Sequence, residues 1–133
     1  SPIGELNNFA EEYAEALVQT TGLTACITDR DVVVAAAGSG SRELDGKEIS
    51  TELDEVISGR EARLINGTDR EDVSVILGHK DSFTGKMIQP ILCASDAIGS
   101  VILLGKSDKN VLGEKERALV KTAASFLGRQ MEQ

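Results

Sequence analysis

Pro90-Ile-Leu-Cys-Ala-Ser-Asp-Ala-Ile-Gly-Ser-Val-Ile-Leu-Leu-Gly105 is the stretch that decides the fold. Its apolar runs around Ile91 and Val101 are short, rich in Ile, Val and Leu, and separated by Ser, Asp and Gly. That pattern predicts a tight β-hairpin buried on at least one face. A short loop then leads into an amphipathic helix over about Glu114 to Met131, with Leu119, Val120, Ala123, Phe126, Leu127 and Met131 on one stripe. The hairpin and helix carry nothing that does chemistry. They point to a sensor or regulatory domain, not to an enzyme.

Upstream, Ser1-Pro2 reads as an N-cap followed by Pro at the first helical position. Ile3, Leu6, Phe9, Tyr13 and Leu17 recur at helical spacing, Ala10, Ala14 and Val18 widen the stripe, and Gly22 is the expected stop. Leu23 to Thr28 predicts a strand, Asp29-Arg30-Asp31 a tight turn and Val32 to Ala37 the partner strand. A second helix is expected from Ser50 to Arg60, with Ser50 or Thr51 as cap and Leu53, Val56 and Ile57 as its buried residues. Ala62 to Ile65 reads as a third strand and Val73 to Leu77 as a fourth, each followed by a polar turn. Short turns between consecutive strands favour antiparallel pairing. The expected fold class is therefore α+β: a central antiparallel sheet of five to six strands, with the N- and C-terminal helices packed on one face.

At 133 residues the chain suits one domain with one core. Its 14 Lys and Arg against 22 Asp and Glu leave a formal net charge of −8. Binding to a phosphate backbone needs a positive footprint, so this chain by itself is not expected to hold DNA or RNA. No apolar run approaches membrane-spanning length, and no leader pattern is visible. Cys26 and Cys93 lie far apart in strand-like runs, without the clustering of a metal site or a Cys-x-x-Cys pair. They read as reduced core thiols of a cytoplasmic protein, and neither a metal nor a cofactor is expected.

The residues resemble a known family. Cys26 to Ala37 with its Asp29-Arg30-Asp31 turn, the hairpin with Pro90 and Ile98-Gly99, and the closing helix look like a GAF domain. Ser1-Pro-Ile-Gly-Glu-Leu6, Ala14-Glu-Ala-Leu17, Asp29-Arg-Asp-Val32 and Thr122-Ala-Ala-Ser-Phe-Leu-Gly-Arg-Gln-Met-Glu-Gln133 are similar to the C-terminal half of the stage V sporulation protein T family. That is a family of AbrB-type sporulation transcription regulators. The resemblance covers the whole chain and is looser from Ser41 to Lys86. It implies that residues 1–133 form a single GAF-like domain and that an AbrB-like DNA-binding half precedes them in the longer protein. It further implies homodimers paired through the terminal helices, a higher oligomer of the full-length protein, and a small effector.

The helices fit pairing on their own residues. The first carries Glu5, Glu11, Glu12 and Glu15 without a basic residue, while the last carries Lys115, Arg117, Lys121 and Arg129. Leu6, Phe9 and Tyr13 on the first helix, and the small Ala118, Ser125 and Gly128 on the last, are the candidate dimer interface. Plain surface is the alternative reading of that small-residue face. For the effector, Thr28, Asn66, Thr68 and Ser74 are polar residues at strand ends or turns, where a GAF pocket between sheet and loops would place them. Local turn hydrogen bonding explains them equally well. His79, the one histidine, is either a loop residue or a ligand or proton sensor. No catalytic residue is named: one histidine supports no triad, and Asp29 and Asp31 serve a turn better than acid–base work. Two other functions stand beside the effector-sensing one. The first is a structural dimerisation module without a ligand. The second is a GAF-type methionine sulfoxide reductase, which needs an exposed reactive cysteine.

Overall fold

The computed structural model of the chain describes residues 2–67, 72–106 and 112–132, and for residues 2–5 and 8 the backbone alone. Helix α1 (Pro2–Thr21) ends at Gly22, whose φ of 72° closes the last turn and whose N–H reaches Val18 O at 2.8 Å. The expected Ser1 cap lies outside the described residues. Strands β1 (Thr24–Thr28) and β2 (Val33–Ala37) flank the Asp29 turn. There the Asp29 carboxylate accepts from the N–H groups of Asp31 and Val32, both at 2.7 Å. Helix α2 (Thr51–Gly59) is capped by Ser50, whose Oγ accepts from Leu53 N at 3.0 Å. Strand β3 (Arg63–Ile65), the hairpin β4 (Gly85–Cys93) and β5 (Asp96–Gly105), and helix α3 (Glu114–Met131) complete the described elements.

The sheet runs β2-β1-β5-β4-β3 and every neighbouring pair is antiparallel. Alternation divides its two faces. Ala25, Ile27, Met87, Ile91, Val101 and Leu103 face α1 and α3, where Ala10, Ala14 and Ala123 allow close approach. Cys26, Ile88, Ile102 and Leu104 face the other way, onto α2 and the 73–83 segment. Both terminal helices share one face, as the apolar stripes require.

Two expectations need correction. The hairpin is longer than Pro90 suggested, because β4 starts at Gly85 and Pro90 pairs with Ser100 inside it. Proline is tolerated there because β3 pairs with β4 only as far as Ile88, so Pro90 needs no donor on that side. Val73 to Leu77 is not a strand of the sheet. Its backbone bonds the 48–50 loop instead, with Ser50 N to Val75 O and Leu77 N to Glu48 O each at 2.9 Å, while Val73, Val75 and Ile76 are buried. The segment crosses the sheet's second face as a strap.

Candidate functional site

The outer side of the α1–α3 pair carries an exposed aromatic cluster. The Phe126 ring lies 5.7 Å from Phe9, edge to face, and 5.6 Å from Tyr13. Phe9 and Phe126 remain 37% and 38% exposed, so their contact with each other leaves part of both rings uncovered. Exposed Glu11, Glu12 and Glu15 stand on α1, and exposed Lys115, Lys121 and Arg129 on α3. Ala118 and Ser125 are exposed on this helix too.

Two of the candidate interface residues lie elsewhere. Leu6 is 2% exposed and belongs to the chain's own core. Gly128 is buried against the end of β4, where a Cβ would run into the Leu92 carbonyl oxygen. Its missing side chain serves helix-on-sheet contact within the chain, not a helix from another copy. Phe126, which the apolar stripe places in the core, is instead partly exposed.

The candidate effector residues do not converge. Thr28 is fully buried on β1 and its Oγ1 is 2.7 Å from Ser100 Oγ. Ser74 Oγ donates to the backbone carbonyls of His79 at 2.8 Å and Ile76 at 3.2 Å. His79 and Asn66 are exposed, and Thr68 lies outside the described residues. Between the sheet and the loops the described residues form an apolar cluster of Val73, Val75, Ile76 and Phe83, and Ser74 and His79 line two separate grooves outside it, of about 390 and 500 Å³. Around the cluster lies one ionic group that the sequence reading missed. Lys86 on β4 is fully buried and donates to Val73 O at 2.6 Å, to both Asp81 oxygens at 2.9 and 3.0 Å, and to Asp72 at 3.2 Å. Asp81 also accepts from the N–H groups of Val75 and Phe83. No periodicity announces such a residue, because a lysine in a strand reads as surface.

The thiols are poorly suited to attack. Burial pushes Cys26 up to about 12, the Asp81 carboxylate adding to the effect and the Lys86 ammonium opposing it. Cys93 is also raised, by burial first and then by the carboxylates of Glu132 and Asp96. A nucleophilic thiol needs a lowered value. The raised Cys26 value has a consequence for folding. The native state holds a proton that the unfolded chain releases, so stability is full below the ordinary value of 9.0 and falls as pH rises toward 12. The folding constant of the wild type is expected to fall by up to about tenfold per pH unit more steeply than that of Cys26→Ala over this range. Parallel denaturation curves at pH 9 to 11 for the two proteins would contradict this.

Residues 5–132 match the family model described as stage V sporulation protein T C-terminal, transcription factor. The chain is 38% identical over all 133 residues to stage V sporulation protein T of Bacillus subtilis strain 168, spanning 72% of that protein. Among solved structures, the GAF domain of an Acinetobacter phosphoenolpyruvate-protein phosphotransferase aligns with a TM-score of 0.77 at 12% identity, over 95% of this chain and 81% of that one. A type II free methionine-R-sulfoxide reductase from Thermoplasma acidophilum aligns at 0.73 and 10% identity, over 95% and 94%. At such identities the last two establish the GAF fold and nothing of the chemistry.

Proposed function

Because this chain belongs to the family of stage V sporulation protein T C-terminal domains, a family of transcription factors, we propose that it pairs two copies and senses a small effector for a separate DNA-binding domain. The observation that carries the pairing is the aromatic cluster of Phe9, Tyr13 and Phe126, exposed between an acidic and a basic helix surface. Exposed aromatic anchors in a polar frame are what homodimer interfaces bury. The flanking charges contribute orientation more than strength, since exposed pairs are worth only about 0.2–1 kcal/mol each. Contact with DNA falls to the other domain, since this chain's net charge of −8 repels phosphate. Raised thiol values at both cysteines support regulation over reductase chemistry. We place the protein in the cytoplasm, consistent with its reduced cysteines; among the described residues no helix is long and apolar enough to cross a membrane.

Sedimentation at micromolar concentration is expected to give twice the 14.1 kDa chain mass. Phe126→Asp should weaken the dimer by about tenfold or more while the monomer stays folded, as for a central aromatic anchor. Leu127→Asp, at a fully buried position, should unfold the chain instead. A wild-type monomer at these concentrations would refute the pairing.

The apolar filling of the sheet's second face favours another reading, a dimerisation module with no effector. The two readings part on whether the domain has a ligand site anywhere else.

A further inference from the structure

At the end of the sheet, where α1 begins and α3 finishes, lies a groove of about 310 Å³. Its floor is apolar: Leu6 from α1, Met131 from α3, Ala97 and Ile98 from β5, with Cys93 at the hairpin end. The Asp29–Asp31 turn forms one wall. Arg30 of that wall is turned toward α2, its guanidinium 2.7 Å from the Asp54 carboxylate, with further bonds to Ser58 Oγ and Ala97 O. Its charge is therefore already matched. Asp31 and Asp96 are exposed on the rim, and no ion pair engages either among the described residues. The groove thus combines an apolar bed large enough for a small ring or short chain with two rim carboxylates that, among the described residues, no cation pairs.

We propose that this groove binds a small molecule with an apolar body and one ammonium group. The apolar body covers Leu6, Ile98 and Met131, and the ammonium stands between the carboxylates of Asp31 and Asp96. Burial first, then the Glu132 and Asp96 carboxylates, raise the Cys93 thiol at the hairpin end of the groove. Such a ligand would touch Leu6 of α1 and Met131 of α3 together. It would brace the relative position of the two helices proposed to pair the copies. This gives a place and a chemical class to the effector, and its regulatory meaning rests on the effector-sensing reading above.

The chain has two methionines, which makes the test direct. Met131 lines the groove, whereas Met87 is fully buried in the core beneath the helices. Titrating 2-phenylethylamine into protein carrying ¹³C-methyl methionine is expected to move the Met131 signal saturably and leave Met87 in place. The neutral 2-phenylethanol should bind at least about twofold more weakly and the anionic 3-phenylpropanoate more weakly still. Asp31→Asn and Asp96→Asn, both at exposed positions, should each weaken the amine by about 1.5- to 5-fold without altering the alcohol. Equal affinity of the amine and the alcohol, an unmoved Met131 signal, or unchanged amine affinity in the double variant would overturn the site. DNA binding of the full-length protein with and without the amine is a separate readout. A bound amine that leaves DNA affinity unchanged would keep the site and refute its regulatory role.

Discussion

Gly128→Ala is expected to lower the melting temperature by about 10 °C, the equivalent of about 3 kcal/mol for a chain of this size. The added Cβ would collide with the Leu92 carbonyl oxygen and lie 3.2 Å from the Leu92 carbonyl carbon. Both obstacles are backbone, so no rotamer change relieves them, and α3 must lift from the end of β4. Gly99→Ala should behave similarly, since its Cβ would meet Thr28 O and lie 2.9 Å from the Thr28 carbonyl carbon and 3.1 Å from Asp29 Cα. Gly59→Ala is the control. Nothing lies within 4 Å of its Cβ and its backbone is helical, so it should be neutral or stabilising by up to about 1 kcal/mol. Thermal denaturation of the three variants reads the contrast. A Gly128→Ala protein melting within about 2 °C of wild type would mean that α3 does not sit this close to β4.

Removing Asp81 is expected to be at least as damaging. Asp81→Ala leaves the buried Lys86 ammonium only the Val73 carbonyl and the partly exposed Asp72, and orphans the N–H groups of Val75 and Phe83. Breaking a buried ion pair from one side costs about 3–5 kcal/mol. Lys86→Met should cost less, because Asp81 keeps both backbone donors and the thioether fills the volume of the lysine stem. The predicted order is wild type, then Lys86→Met, then Asp81→Ala, and the double variant should fall short of the sum of the two losses. The loss in Asp81→Ala should appear first as faster amide exchange at Val75 and Phe83, whose N–H groups the carboxylate holds. An Asp81→Ala protein within 1 kcal/mol of wild type, by chemical denaturation, would show that the pair does not secure the strap.

The two effects differ in how far the sequence announces them. Ile98-Gly99 reads as part of the hairpin and Gly128 as a small residue on a helix face, but the neighbour each glycine accommodates comes from a distant segment. Lys86 and Asp81 gave no signal at all. A lysine before Met87-Ile88 reads as a solvated strand position until the strap folds over it.

What the sequence determined by itself is the set of local elements. The apolar periods placed α1, α2, α3 and the β4–β5 hairpin, because spacing along the chain dictates which side chains share a face. Gly22, the Asp29 turn and the Ser50 cap were legible because their hydrogen bonds are made within a few residues. Tertiary structure alone decided the rest. Val73 to Leu77 has the composition of a strand, yet it bonds the 48–50 loop and buries its side chains as a strap. Leu6 and Phe126 sit on similar apolar stripes, but one is 2% and the other 38% exposed, since Leu6 joins the core cluster whereas Phe126 packs only partly, against Phe9 and Tyr13. The groove joins Leu6, Asp31, Asp96 and Met131 from four separate elements. Such convergence is a property of packing, and no local pattern encodes it.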